Sequence, residues 1–181
     1  FLASRFHLKP VKAFLICYSI SIVLFFASTL ISSTKNLPAV VAARQYEYFN
    51  LHGNTEFKLD SLKPNVVSFV TVLPQAVNNS FLRPYPWEIK GPLQAMASLE
   101  MIILVSLLLL FFFRKEGDWR STLNDPLFLS FVFFGISLYV FIGYTVLFPG
   151  AIVRYKTIAE LLLILVLASL IRQPSTNNKK I

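Results

Sequence analysis

Four long apolar runs, separated by polar segments, dominate the hydrophobic pattern of the chain. They cover residues 13–32, 93–113, 127–148 and 152–171. Each run holds roughly 20 residues, and a helix of that length, at about 1.5 Å per residue, crosses the roughly 30 Å hydrocarbon core of a bilayer. The first run also lacks the polar stripe that is typical of a buried helix in a soluble protein. The pattern predicts an all-α integral membrane protein with four transmembrane helices.

The polar segment at residues 33–92 is too long to be a simple connection. Residues 39–51 have a helix-forming composition. Further on, apolar residues recur at spacings of three and four and draw one helical face: Val66, Phe69, Val70, Leu73, Val77 and Phe81. Pro74 predicts a break or kink in that helix. We expect an outer loop with two short amphipathic helices on the membrane surface, with a helix that caps a small extramembrane domain as the alternative.

Two of the apolar runs contain residues that stand out from their surroundings. Glu100 lies about two turns inside the second run, where a carboxylate either faces protein or water or reaches back to the interface near the helix start. We favour the second interpretation. In the third run Gly135, Tyr139 and Gly143 repeat every four residues. One side of that helix is therefore partly small, and we expect it to accept a neighbouring helix.

Composition and charge agree with a membrane protein. Only 14% of the 181 residues are charged and 55% are hydrophobic, which leaves too little polar surface to coat a soluble domain. The net charge is +8, but the Lys and Arg residues flank the apolar runs and form no single basic face. This favours charges that set topology and meet anionic lipid headgroups, and it argues against a nucleic-acid partner. The single cysteine excludes an intrachain disulfide and a cysteine-based metal site.

The positions of the short basic segments predict the orientation in the membrane. They precede the first run, lie between the second and third runs, and follow the fourth, which predicts that both termini are cytoplasmic. We therefore divide the chain into a basic lead-in with the first span (1–32), an extracytoplasmic loop (33–92), a three-helix bundle (93–171) and a basic tail (172–181). In a bacterial inner membrane the loop is periplasmic. The chain begins with Phe1, which we interpret as a fragment or a processed product.

Two polar clusters share the outer face in this topology. One holds Arg83, Tyr85, Trp87, Glu88 and Lys90, and the other holds Arg154, Tyr155, Lys156 and Glu160. Cationic side chains bind phosphate, and guanidinium does so in a bidentate manner. We expect phosphate or lipid contacts from four cations, Arg83, Lys90, Arg154 and Lys156, and sugar or interface contacts from Tyr85, Trp87 and Tyr155. The alternative is an aromatic belt with topology-setting charges, in which Lys156 and Glu160 pair across one helical turn.

Signatures of catalysis are missing from the sequence. It contains no Gly-rich phosphate loop, no His or Cys residues at metal-binding spacings and no nucleophile motif. Three loop acids, Glu47, Glu56 and Asp60, could supply an acid–base pair, but nothing in the sequence defines their spacing. We assign no catalytic residue, metal ligand or cofactor, and we favour a protein that is not an enzyme.

Three short motifs carry a resemblance to a known group. They are Arg83-Pro84-Tyr85-Pro86-Trp87-Glu88, Leu99-Glu100 and Val153-Arg154-Tyr155-Lys156. With them the chain resembles the C-terminal part of uncharacterised polytopic inner-membrane proteins of Bacteroidetes linked to surface-polysaccharide and glycosyltransferase-like functions. The resemblance implies a truncated or partner-assembled member of a multi-span envelope protein. In membrane glycosyltransferases with polyprenyl-linked donors the catalytic acids lie in an early outer loop, and no element here matches it.

Two functional hypotheses follow, from different classes. The first is a component of cell-envelope glycan or lipid-linked sugar handling that binds a phosphate-bearing lipid, with a polyprenyl-phosphate-linked molecule as the substrate class. The second is a non-catalytic accessory subunit of a larger membrane complex for respiration, secretion or motility. A transporter has less support, because the spans lack polar residues near the midplane.

Overall fold

The computed structural model describes residues 9–31, 35–51, 55–113 and 124–171. Within these ranges the chain is helical and contains no β-strand. The α-helices are α1 (Pro10–Ala27), α2 (Leu37–Phe49), α3 (Val66–Val77), α4 (Pro92–Phe113), α5 (Pro126–Thr145) and α6 (Pro149–Ile171). The basic lead-in before Lys9, most of the hairpin after α4 and the predicted basic tail lie outside the described residues.

Proline and asparagine or aspartate residues determine where the helices begin. A proline occupies the first or second position of most of them: Pro10, Pro38, Pro92, Pro126 and Pro149. Its fixed φ suits the first turn, where the missing N–H would have no partner in any case. The side chains of Asn36, Asn65 and Asp125 accept hydrogen bonds from backbone N–H groups of the first turns of α2, α3 and α5.

The four predicted spans correspond to α1, α4, α5 and α6, with shifts of a few residues at several boundaries. Helix α5 ends at Thr145, and residues 146–148 form a non-helical link in which Leu147 O accepts a hydrogen bond from Phe57 N at 2.9 Å. Three segments are long and apolar enough to cross a membrane, namely Pro10–Leu30, Gln94–Phe111 and Pro126–Thr145. Helix α6 is not among them, and its first half carries Arg154, Lys156 and Glu160. The structure therefore supports a helical membrane protein with three candidate spans, and the count of four is not confirmed.

The outer segment folds around α2 and α3, and the predicted helix in residues 39–51 is confirmed as α2. Helix α3 continues through Pro74, so of the two predicted alternatives the break is wrong and the kink stays a prediction. A π-helical turn, Asn78–Leu82, follows instead. Burial of Phe69, Val72 and Ala76 on one side of α3 helps to hold the helix together in spite of the proline. Of the predicted apolar face, Val66, Val70, Leu73 and Val77 are exposed, whereas Phe69 is buried and Phe81 is half-buried.

Two packing centres hold the elements together. Around Phe69, α1, α2, α3 and α5 meet, with Phe25 and Phe26 edge-on to its ring and the Tyr144 hydroxyl donating to its backbone oxygen at 2.6 Å. The other centre lies between α4, α5 and α6 and includes Leu104, Tyr139, Ala159 and Leu167.

The small side of α5 accepts neighbouring helices, as its glycine spacing predicted. Gly135 faces Leu163 of α6, and Gly143 lies against the backbone of Ala76 in α3. The absence of a side chain at both positions lets α3 and α6 approach α5 closely.

Candidate functional site

The segment between the π turn and α4 forms a closed network around Arg83. Its guanidinium forms an ion pair with Glu88 at 3.2 Å and lies over the Phe57 ring, 4.5 Å from the centroid. Both charged side chains are about one quarter exposed, at 23% and 27%. Because Arg83 is neutralised and stacked within the chain, less of its binding capacity remains for an external anion.

Tyr85 and Trp87 form an aromatic pair in this segment, with Tyr85 bonded to the protein and Trp87 exposed. The Tyr85 hydroxyl donates to Asn78 Oδ1 at 2.6 Å, and its ring stacks on Trp87 with centroids 4.8 Å apart. Trp87 is 79% exposed, so the other face of its indole is free to contact lipid or sugar. Lys90 follows as an exposed residue, and its backbone N–H donates to Gln94 Oε1.

A groove of about 720 Å³ lies between α2, the C-terminal end of α5 and the first half of α6. Its apolar wall includes Leu138, Phe141 and Ile158. Its polar rim consists of Arg44 and Glu47, which pair at 2.7 Å, together with the exposed Arg154. Arg154 forms no ion pair with another residue of the described ranges. The groove therefore combines an apolar trough with a cation that has no ion-pair partner among the described residues.

Two tyrosines join the sides of this groove. The Tyr48 hydroxyl of α2 donates to the Tyr155 hydroxyl of α6 at 3.5 Å, which is a long hydrogen bond. That bond, helped by partial burial, favours the neutral phenol and raises the pKa of Tyr48 to about 12. The Tyr48 hydroxyl is therefore protonated at neutral pH, and because it donates to Tyr155, the Tyr155 hydroxyl is left to donate a hydrogen bond to an anion at the rim.

A buried ion pair occupies the opposite side of α6. Lys156 Nζ lies 3.3 Å from Glu160 Oε1, and the two side chains are 0% and 4% exposed. The predicted pairing across one helical turn is thus present. Because Lys156 follows Arg154 by two positions, it points about 200° away around the helix and into the bundle.

The seven predicted binding residues are distributed over several places. Arg154 and Tyr155 lie on the groove, whereas Arg83, Tyr85 and Trp87 belong to the network above Phe57, followed by the exposed Lys90. Lys156 is enclosed in the bundle. Phe57 connects the first two places, since it and Tyr48 pack against the same apolar cluster of Ile142, Val146 and Ile152.

Sequence reasoning did not single out Arg44 and Tyr48 as binding residues, although both line the groove. They lie four residues apart on α2, so they share a face, but nothing in the sequence indicated that this face meets α6. Within the described part of the chain, no three His, Cys, Asp or Glu side chains are grouped to hold a metal ion.

Searches against protein families, curated proteins and solved structures found no match to this chain.

Proposed function

We propose that this protein is a bacterial inner-membrane component of cell-envelope glycan or lipid-linked sugar handling that binds a phosphate-bearing lipid in the groove between α2, α5 and α6. The observation that carries the proposal is the position of Arg154, a cation without a described ion-pair partner, at the rim of a trough walled by Leu138, Phe141 and Ile158. A lipid phosphate matches this arrangement, because its anionic headgroup suits the cation at the rim and its apolar chain suits the trough.

The rim offers further contacts to such a headgroup. Arg44, Tyr48 and Tyr155 line the same groove, and the two tyrosine hydroxyls are joined by a hydrogen bond. Arginine forks and phenol hydroxyls are donors that suit phosphate oxygens. The acyl or polyprenyl chain then follows the apolar wall towards the middle of the bundle. Lys156 is left out of this site because its ammonium group is fully buried.

In this proposal α6 crosses the membrane together with α1, α4 and α5, both termini are cytoplasmic, and the 33–92 loop is periplasmic. The groove then opens at the outer leaflet, at the level of Trp87 and of the exposed stripe of α3. Aromatic residues at that level and an interfacial helix are typical of a membrane–water boundary.

Binding of a polyprenyl phosphate to the purified protein in mild detergent, followed by native mass spectrometry, tests the proposal. Arg154→Ala is expected to weaken binding about tenfold or more, because a charged hydrogen bond is removed. Lys63→Ala, which removes an exposed cation of the 33–92 loop away from the groove, is the matched control. Unchanged binding in Arg154→Ala overturns the proposal.

A second substitution tests the apolar trough without changing charge. Ile158→Trp fills the groove, whereas Leu161→Trp places the same side chain on an exposed position of α6 outside it. Only the first is expected to block binding. The uncharged polyprenol and inorganic phosphate represent the apolar and the anionic part of the lipid separately. Each is expected to bind more weakly than the complete lipid. If inorganic phosphate binds as tightly as the lipid, the ligand is a free anion.

The accessory-subunit hypothesis draws support from α1. This helix touches α5 through Phe14 and Tyr18, which stack on Phe133, while Ile22, Val23 and Leu24 remain exposed. Such a surface suits a partner helix as well as lipid. Purification in mild detergent separates the two hypotheses, since co-migration with stoichiometric partners favours the subunit and a lone protein with bound lipid phosphate favours the groove.

A further inference from the structure

The bundle of α4, α5 and α6 encloses ionisable groups that the proposed lipid site does not use. Lys156 and Glu160 are both buried, one turn apart on α6. They face a packing centre that is otherwise apolar and includes Leu104 and Ala159. Charges in such a position are costly and are compensated or functional.

Each of the two helices packed against this face adds one titratable group. Glu100 of α4, which is half-buried, interacts with the Glu160 carboxyl, and so does the Tyr139 hydroxyl of α5. Glu100 is the only ionisable residue of α4. The other tyrosine of α5, Tyr144, donates its hydroxyl to Phe69 on the outer side.

The π turn that covers the bundle contributes Phe81, whose ring lies 5.1 Å from that of Tyr139. The nearest charges beyond it along the chain, Arg83 and Glu88, neutralise each other. The group that can balance the two carboxyls is therefore Lys156.

The charges of this cluster do not cancel as they stand. Two carboxylates and one ammonium leave one uncompensated negative charge. In a medium of low dielectric constant, two interacting carboxyls also repel each other when both are ionised. One proton held between Glu100 and Glu160 removes the repulsion and brings the net charge to zero.

The polar atoms of the cluster also retain hydrogen-bonding capacity. Lys156 Nζ, Glu160 Oε1 and the Tyr139 hydroxyl are buried and form no well-aligned hydrogen bond within the described part of the chain. A buried ion pair that served packing alone would be expected to satisfy these atoms. A buried cluster of donors and acceptors that lie close together without bonding to one another is typical of a site that takes up and releases a proton.

We propose that Glu100 and Glu160 together bind one proton inside the helical bundle, with Lys156 balancing the carboxylate that remains. The site lies beneath the Phe81 ring and on the side of α6 opposite the groove, because Glu160 follows the groove residue Ile158 by two positions. It is thus separate from the lipid site and does not depend on it.

Infrared spectroscopy of the purified protein in lipid tests the proposal directly, because a protonated carboxylic acid has a C=O stretching band that a carboxylate lacks. At neutral pH the wild-type protein is expected to show this band for one buried carboxyl. Glu160→Gln and Glu100→Gln, which keep the side-chain volume, are each expected to remove it, since a single carboxylate then faces Lys156. A spectrum without the band at neutral pH overturns the proposal.

Lys156→Met supplies the opposite change. Without the ammonium both carboxyls are expected to be protonated, so the band should approximately double. If the intensity stays that of one group, Lys156 does not balance the pair and the proposal fails.

A measurement on the wild type covers the case in which a variant does not fold. A hydrophobic carbodiimide reacts with protonated carboxyls, and peptide mass spectrometry is expected to locate the adduct on Glu100 or Glu160 at neutral pH, with labelling lost as the pH is raised. The absence of an adduct at both positions in the intact protein, with other carboxyls labelled, contradicts the proposal.

Discussion

Gly143 of α5 lies directly against the backbone carbonyl of Ala76 in α3, so that a Cβ at position 143 would overlap that carbonyl. The Ser80 hydroxyl donates to the same Ala76 oxygen at 2.9 Å and also lies beside Gly143. This approach of two backbones holds the outer segment on the bundle.

Gly143→Ala is expected to destabilise the protein by about 1–3 kcal/mol or more, because the obstacle is backbone and cannot rotate away. Thermal unfolding in detergent measures the change. Gly150→Ala is the matched control, since nothing lies within 4 Å of a Cβ at that position. Equal melting temperatures for the two variants would contradict the close contact.

Gln45 is buried, with only 1% of the residue exposed, and its side chain organises the outer segment through three hydrogen bonds. Its Nε2 donates to Asp60 O and Tyr144 O, and its Oε1 accepts from Leu62 N. Gln45→Met leaves these buried backbone groups without partners and is expected to lower the free energy of unfolding by about 2–3 kcal/mol. Chemical denaturation in detergent provides the measurement. Gln94→Met, which removes one exposed hydrogen bond, is expected to have little effect.

The hydrogen bond between Tyr48 and Tyr155 gives a pH-dependent prediction. Because the pKa of Tyr48 is raised to about 12 from its ordinary value of 10.0, the stabilisation that it contributes is complete below pH 10 and is lost as the pH rises through about 12. Tyr155→Phe removes the acceptor, so the pKa of Tyr48 should fall towards its ordinary value. Alkaline ultraviolet titration detects this, with Tyr48→Phe identifying the transition. An unchanged transition would show that the bond does not control the pKa.

The exposed indole of Trp87 reports on the position of the outer segment. The chain has a second tryptophan, Trp119, and Trp119→Phe leaves Trp87 as the only one. In vesicles with brominated lipids, bromine near the headgroups is expected to quench its fluorescence more strongly than bromine deep in the acyl chains. Without quenching by either lipid, residues 66–88 would form an extramembrane cap and not an interfacial layer.

Much of the helical architecture was accessible from the sequence. Apolar length predicted the positions of α1, α4, α5 and α6, and helix-forming composition predicted α2. The end of α5 at Thr145 was not accessible, because residues 146–148 remain apolar while Leu147 bonds outside the helix to Phe57. The break that Pro74 predicted is absent for a related reason, since burial of Phe69 and Ala76 helps to sustain α3 beyond its local preference.

The candidate sites were accessible only in part. Arg154 and Tyr155 were identified from their residue types at a span boundary, but their partners on the groove, Arg44 and Tyr48, lie more than 100 positions earlier. The association of Glu100 with Glu160 depends in the same way on how α4 packs against α6. A pattern that repeats every three or four residues reports the faces of one helix and carries no information about which other helix each face meets.

The sequence by itself determined that the chain is helical, apolar and suited to a membrane, because length and hydrophobicity act locally along each helix. The tertiary structure decided the use of its charges. It pairs Arg83 with Glu88, leaves Arg154 on the groove and encloses Lys156 with Glu160. Lys156 and Arg154 are neighbours in sequence with opposite surroundings, since a helix turns about 100° per residue and only the packing of α4, α5 and α6 determines which direction is the interior.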